Sequence, residues 1–141
     1  MTVAFYHGHG SPYSWRVWLA LEHKKIPYDF KLLSFDAGDT GKPEFLKLNP
    51  RGKVPVLTDG DFALAESTPI LEYIAERWPE GPTLFSRDLR ERATQRRLIR
   101  ESDVYIKKVM DDMVEPLMAQ QKTGKVDAAA LAASVAAVKA R

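Results

Sequence analysis

The sequence predicts an α/β layer followed by an all-helical region, and three observations lead there. Over residues 1–79, apolar runs of strand length alternate with runs of helical period. Gly and Pro concentrate before Thr83 and then nearly vanish until Pro116 and Gly124, as expected where tight loops give way to long helices. The charge balance changes at the same place: residues 1–79 carry 9 basic and 10 acidic side chains, whereas residues 80–141 carry 12 and 9. These features divide the chain into a first domain at residues 1–79, a linker at 80–86 and the start of a helical domain at 87–141.

Each element follows from its local pattern. Val3, Ala4, Phe5 and Tyr6, within Thr2–His7, form an apolar run too short for a helix and ended by Gly8-His9-Gly10, which reads as a buried strand. From Tyr13 to Lys25 the apolar positions Val17, Trp18 and Leu19 to Leu21 recur on a helical period, and Pro27 is expected to stop that helix. Tyr28–Leu33 alternates Tyr28, Phe30 and Leu32 with Asp29 and Lys31, the period of a half-buried strand. Pro43–Leu48 supplies one or two helical turns, ended by Asn49-Pro50-Arg51-Gly52. Val54–Leu57 and Phe62–Leu64, joined by a turn at Asp59-Gly60, read as a hairpin. Ser67 is the expected N-cap of a helix whose apolar face carries Ile70, Leu71, Tyr73, Ile74 and Trp78 before Pro79. The result is a mixed four-stranded sheet with helices on both faces.

Beyond the linker, Ser86 is expected to cap a long helix from near Arg87, with Leu89, Ile99, Ile106, Val109, Met113 and Leu117 at helical spacing. Asp127 then caps an alanine-rich helix with Leu131, Val135 and Val138 on one side. Two helices do not close a bundle, so the helical domain is expected to be truncated and the apolar side of its long helix to need cover. A homodimer formed through that helix is one source of cover.

Composition removes whole classes of function. With 45% hydrophobic and 28% charged residues the chain is that of a folded domain, and its net charge of +2 is too slight to make nucleic acid or an anionic membrane the default partner. Arg92, Arg96, Arg97 and Arg100 share one flank of the long helix, but no aromatic residues interleave with them, and a solvated face is the expected reading. The absence of cysteine excludes disulfide frameworks, thiolate metal sites and any protein thiol nucleophile, so sulfur chemistry here needs a thiol from outside. No apolar run approaches the roughly 20 residues of a membrane span, and no signal peptide precedes the first strand, so a cytosolic location is expected.

Three segments carry candidate chemistry. In Gly10-Ser11-Pro12-Tyr13-Ser14-Trp15-Arg16, a loop leads from a strand end into a helix mouth, where backbone N–H groups and the positive helix end favour an anion. Ser11 either caps that helix or donates to a bound nucleophile. In Gly52-Lys53-Val54-Pro55-Val56-Leu57, a proline opens a strand; a cis bond would turn the Val54 backbone groups outward to pair with an extended peptide, whereas a trans bond makes an ordinary edge strand. In Glu66-Ser67-Thr68-Pro69, Ser67 at a helix N-terminus suits a carboxylate and Glu66 an ammonium, or the pair is a plain cap beside a solvated acid. His7 and His9 have the spacing of a metal pair without a carboxylate cluster, which leaves loop histidines near a ligand as the simpler reading and no metal site. Tyr6 reads as core. Trp15 and Trp18 read as packing residues, Trp15 with the option of bordering a pocket.

Taken together, residues 3 to about 80 resemble the amino-terminal, thioredoxin-like domain of the cytosolic glutathione transferases. Ser11-Pro12-Tyr13-Ser14 is similar to the Cys-Pro-Tyr-Cys of glutaredoxins with both thiols replaced by hydroxyls, so thiol–disulfide exchange fails on composition. Ser14-Trp15-Arg16-Val17 is similar to serine-type members, particularly the zeta class, although Trp18 stands where that class usually shows arginine. The resemblance implies that Ser11 hydrogen-bonds the glutathione sulfur, that Val54 before a cis Pro55 pairs with the cysteinyl backbone, and that Glu66 and Ser67 hold the γ-glutamyl end. Lys53 and Lys42 are implied near the glycyl carboxylate. The implied activity is conjugation or isomerisation of a small electrophile with glutathione as co-substrate, in a homodimer, and zeta-like residues point toward an unsaturated diketo acid. The rival expectation is a non-catalytic binding or regulatory module of the same fold.

Overall fold

The structure, a computed structural model, describes residues 2–106, 111, 112, 114 and 127–139. Two units emerge, Met1–Ser86 and Arg87–Arg141. In the first, alternation along β1 (Val3–Gly8) sets the layers: Val3, Phe5 and His7 turn to one face of the sheet, Ala4 and Tyr6 to the other. A helix, α1 (Pro12–Lys24), carries the chain to β2 (Asp29–Leu33), which pairs parallel with β1. A 3-10 turn at Asp39–Gly41 and the short α2 (Pro43–Leu46) lead to β3 (Val56–Asp59) and β4 (Phe62–Ala65), an antiparallel hairpin added to the other edge of β1. The strand order is β2-β1-β3-β4, and α3 (Ser67–Arg77) completes a thioredoxin-like βαβ–ββα arrangement.

The main core lies on the α1 and α3 side, where Val3, Phe5 and Leu57 of the sheet meet Val17, Ala20 and Leu21 of α1 and Ile70 and Ile74 of α3. Each fully buried Phe, Leu or Ile there contributes about 1.5–3 kcal/mol. On the opposite face α2 packs buried Phe45 against Tyr6, with ring centroids 5.9 Å apart. Two polar ties fix the helices. Asp59 Oδ2 accepts from Tyr73 Oη at 2.9 Å and Arg77 Nε at 3.1 Å, pinning the end of α3 to β3. Buried Lys24 donates from Nζ to the carbonyls of Glu80 and Pro82, at 3.1 and 2.9 Å, tying the chain beyond α3 to the end of α1.

Several expectations are corrected. It is not Pro27 that ends α1: Lys25 takes the left-handed conformation at φ 54°, and the bonds Lys25 N to Glu22 O and Ile26 N to Leu21 O close the helix two residues earlier. β2, at one edge of the sheet, is exposed along nearly its whole length rather than half-buried. The N-cap position of α3 is Glu66, with Ser67 as the first helical residue.

In the second unit, α4 (Leu89–Glu101) is capped by Asp88, not Ser86: its carboxylate accepts from the N–H groups of Arg90 and Glu91, both at 2.9 Å. A π-helical turn, Ser102–Ile106, continues it. The expected apolar positions Val109, Met113 and Leu117 lie outside the described residues. Asp127 accepts from Ala129 N at 3.0 Å at the start of α5 (Ala128–Lys139), the cap expected there.

Candidate functional site

The three chemistry-bearing segments meet where β1 ends at Gly8. The last β1–β3 rung is Tyr6 with Val56 and the last β3–β4 rung is Val56 with Ala65. Pro55 and Glu66 therefore leave the sheet beyond the same rung, and Val54 runs on beside Gly8. Contact there is close: a Cβ on Gly8 would lie 2.7 Å from Val54 Cγ2. The Ser11 loop closes on the same residue, with Ser11 N donating to Gly8 O at 3.1 Å and Gly8 N directed at Ser14 Oγ at 3.5 Å.

Ser11 is the N-cap of α1, its Oγ accepting from Ser14 N at 3.2 Å, and Pro12 occupies the first helical turn where its missing N–H costs nothing. A serine hydroxyl has two acceptor lone pairs and one proton, so the cap bond leaves the proton for an acceptor beyond the helix. The two readings of Ser11 as cap and as donor are thus compatible in one geometry. Ser14 is fully buried.

The Val54–Pro55 peptide bond is cis. Val54 is half-buried and stands outside the ladder, which begins at Val56, while Pro55 is buried. The approach to Val54 is held by Asn49, only 3% exposed: its Nδ2 donates to Lys53 O at 2.7 Å and its Oδ1 accepts from Arg51 N at 3.2 Å. Gly52, at φ 60°, passes so close to the neighbouring loop that a Cβ would lie 2.9 Å from Thr40 O. The Lys53 side chain is exposed beside this turn.

Glu66 is a non-glycine residue at φ 72° and ψ 120°, a conformation that costs of order 1–3 kcal/mol and persists only where surrounding structure enforces it. It makes no side-chain cap bond, so its exposed carboxylate is directed elsewhere than to its own helix. Ser67 is buried at the N-terminal, positive end of α3.

Other candidates lie differently. Lys42 pairs with Asp39 at 2.6 Å, and the Asp39 carboxyl is held below its usual range first by that bond and then by the Ser34 N–H. Both line a cleft with Tyr6, Leu33, Glu44, Phe45 and Leu48 that none of the other expected site residues borders. His7 is no loop histidine: it belongs to β1, is 2% exposed, and sits among the rings of Phe5, Trp18 and Phe30 at 5.8, 5.3 and 5.4 Å. Burial, and then the charge of His9, lowers its pKa. Among the described residues no group of three or more His, Asp or Glu is placed to hold a metal, and no helix is long and apolar enough to cross a membrane. Trp15 is 52% exposed, so it is not a core residue. Two residues that sequence reasoning passed over are Gly8 and Asn49. For Asn49 the Asn-Pro pair signalled a turn but not a buried side chain, and for Gly8 no local signal exists, since the constraint is a contact with residues far along the chain.

Residues 10–77 match the profile of the glutathione S-transferase N-terminal domain. Glutathione S-transferase 1 of Dianthus caryophyllus is 45% identical over 80 residues, which are 57% of this chain and 36% of that protein. A zeta-class glutathione S-transferase of Euphorbia esula is 42% identical over 71 residues, 50% of this chain and 32% of its own, and a maleylacetoacetate isomerase of Dictyostelium discoideum is 39% identical over 88 residues, 61% and 40%. The chain thus spans between about a third and two fifths of the length of these curated relatives. Among solved structures, a glutathione S-transferase from the Antarctic clam Laternula elliptica matches at TM-score 0.75 and 36% identity, over 95% of this chain and 59% of that one. The stretch that holds Ser11, Val54, Pro55, Glu66 and Ser67, residues 10–77, is thus similar to the glutathione S-transferase N-terminal domain.

Proposed function

We propose that this chain is the glutathione-binding part of a serine-type glutathione transferase, acting in the cytosol as a homodimer on a small electrophile. The observation that carries the reading is the meeting of the Ser11 loop, the Val54–cis-Pro55 segment and Glu66-Ser67 at one end of the sheet. Glutathione lies extended along that edge: Val54 N–H and C=O pair with its cysteinyl backbone, Glu66 and the Ser67 end of α3 take the ammonium and carboxylate of its γ-glutamyl group, and Lys53 faces its glycyl carboxylate.

The chemical task is to keep the thiol ionised, because the thiolate is the nucleophile and a free thiol is mostly protonated at neutral pH. Ser11 Oγ–H donates to the sulfur while its oxygen holds the Ser14 N–H. A hydrogen bond to a charged group is worth about 1.5–3 kcal/mol and a helix N-terminus about 0.3–1 kcal/mol. At about 1.4 kcal/mol per pKa unit, the two lower the thiol by about two units, enough to make the thiolate dominant near neutrality. The sulfur then either forms a bond to an electrophilic carbon, expelling a leaving group with its electron pair or breaking a conjugated C=C bond whose carbanion takes a proton, giving detoxifying conjugation, or adds to a C=C bond and leaves again after rotation, giving isomerisation of an unsaturated diketo acid. The relative named maleylacetoacetate isomerase supports the second option.

Steady-state kinetics of Ser11→Ala test the reading. Turnover should fall about 100-fold with the KM for glutathione moving less than about five-fold, because the donor acts on the thiolate more than on the bound tripeptide. Equal turnover in the two proteins would remove Ser11 from the chemistry, and glutathione binding without turnover in the parent chain would favour a non-catalytic binding module.

A further inference from the structure

We propose that Gly8 is a positioning residue that seats the peptide-pairing edge at Val54, an inference that rests on the glutathione reading above. The backbone does not demand glycine here, since Gly8 is absent from the residues of positive φ, so alanine is conformationally allowed. What forbids a side chain is its neighbours. An added Cβ would stand 2.4 Å from Phe35 Cζ and 2.7 Å from Val54 Cγ2.

These two contacts are unequal. Phe35 is 52% exposed and meets Gly8 with the tip of its ring, which can swing outward into water. Val54 meets it with a short branched methyl next to the backbone, between Lys53, whose carbonyl is bound by Asn49, and buried Pro55. A β-branched side chain has little rotamer freedom with which to yield. Relief therefore falls on the Val54 main chain, whose N–H and C=O are the groups assigned to pair with the cysteinyl backbone. Gly8 also anchors the Ser11 loop, but through its own backbone atoms, which alanine retains.

The consequence is a selective defect. In the 141-residue chain, Gly8→Ala should raise the dissociation constant for glutathione by at least about five-fold by calorimetry, while kcat at saturating glutathione stays within about two-fold. Val54→Ala removes the clashing methyl and keeps the pairing atoms, so the double variant Gly8→Ala/Val54→Ala should bind within about two-fold of Val54→Ala alone. Unchanged affinity in Gly8→Ala, or a double variant weaker than Val54→Ala alone by as large a factor as Gly8→Ala is weaker than the parent, overturns the proposal. A lowered melting temperature with normal affinity does so too, because it assigns Gly8 to stability only. Failure of the parent chain to bind glutathione sinks the site reading and this role with it, whereas parent binding without the Gly8–Val54 coupling sinks this role alone.

Discussion

At the scale of single residues, one hydroxyl serves two ends. Ser11 holds α1 by its lone pair and offers its proton outward, so Ser11→Ala carries a stability cost of about 1 kcal/mol in addition to its effect on turnover. His7 is a second case in which position decides chemistry. Its imidazole is buried among three rings and its pKa is lowered by that burial, so the unfolded chain binds the proton more readily than the native one. The stabilisation from keeping it neutral is fully present above the unfolded value of 6.5 and is lost as pH falls through that value toward the lower folded pKa. Urea unfolding between pH 7.5 and about 5 should show stability declining on the acid side in the parent and a shallower decline in His7→Leu; parallel slopes would contradict the assignment. A strand with period-two alternation predicts that His7 shares the Phe5 face, yet the Gly8-His9-Gly10 run reads as the start of a loop, and the strand continues through Gly8.

At the scale of elements, the sequence placed every strand and α-helix of the first unit, missed the 3-10 turn at Asp39–Gly41 and misjudged several ends. Strand β3 begins at Val56, two residues later than its apolar run, because the cis Pro55 leaves the ladder. The N-cap position moved from Ser67 to Glu66, which fills it without a side-chain cap bond, and from Ser86 to Asp88, two residues that satisfy the same local rule and between which only the helix trajectory chooses. Alternation in Tyr28–Leu33 predicts a half-buried strand, but a period identifies two faces without saying whether either is covered. The site segments were legible because their residue types are unusual; their supports were not, because Asn49 and Gly8 act through contacts that local pattern does not encode. Asn49→Ala tests one such support. Losing both bonds from a buried amide and leaving Lys53 O unpaired should cost about 2–3 kcal/mol and weaken glutathione binding several-fold, read by chemical denaturation and calorimetry. A stable variant with parent affinity would show that the turn holds itself.

At the scale of the whole molecule, the first unit carries its own core, both polar ties and all the proposed binding residues. A chain of residues 1–86 should therefore fold and bind glutathione within about three-fold of the full chain. Lys24→Met in that setting removes two bonds from a charged donor and should lower stability by about 1–3 kcal/mol, with an unchanged unfolding midpoint contradicting the tie. In the proposed function all of these parts serve one centre, a thiolate held by a hydroxyl at the mouth of α1. The direct measurement is an ultraviolet titration of thiolate in the complex with glutathione, comparing the parent with Ser11→Ala. The account predicts an apparent pKa about two units below free glutathione in the parent, rising by at least about one unit on loss of the hydroxyl. The same pKa in both proteins, or a parent value no lower than that of free glutathione, would contradict it.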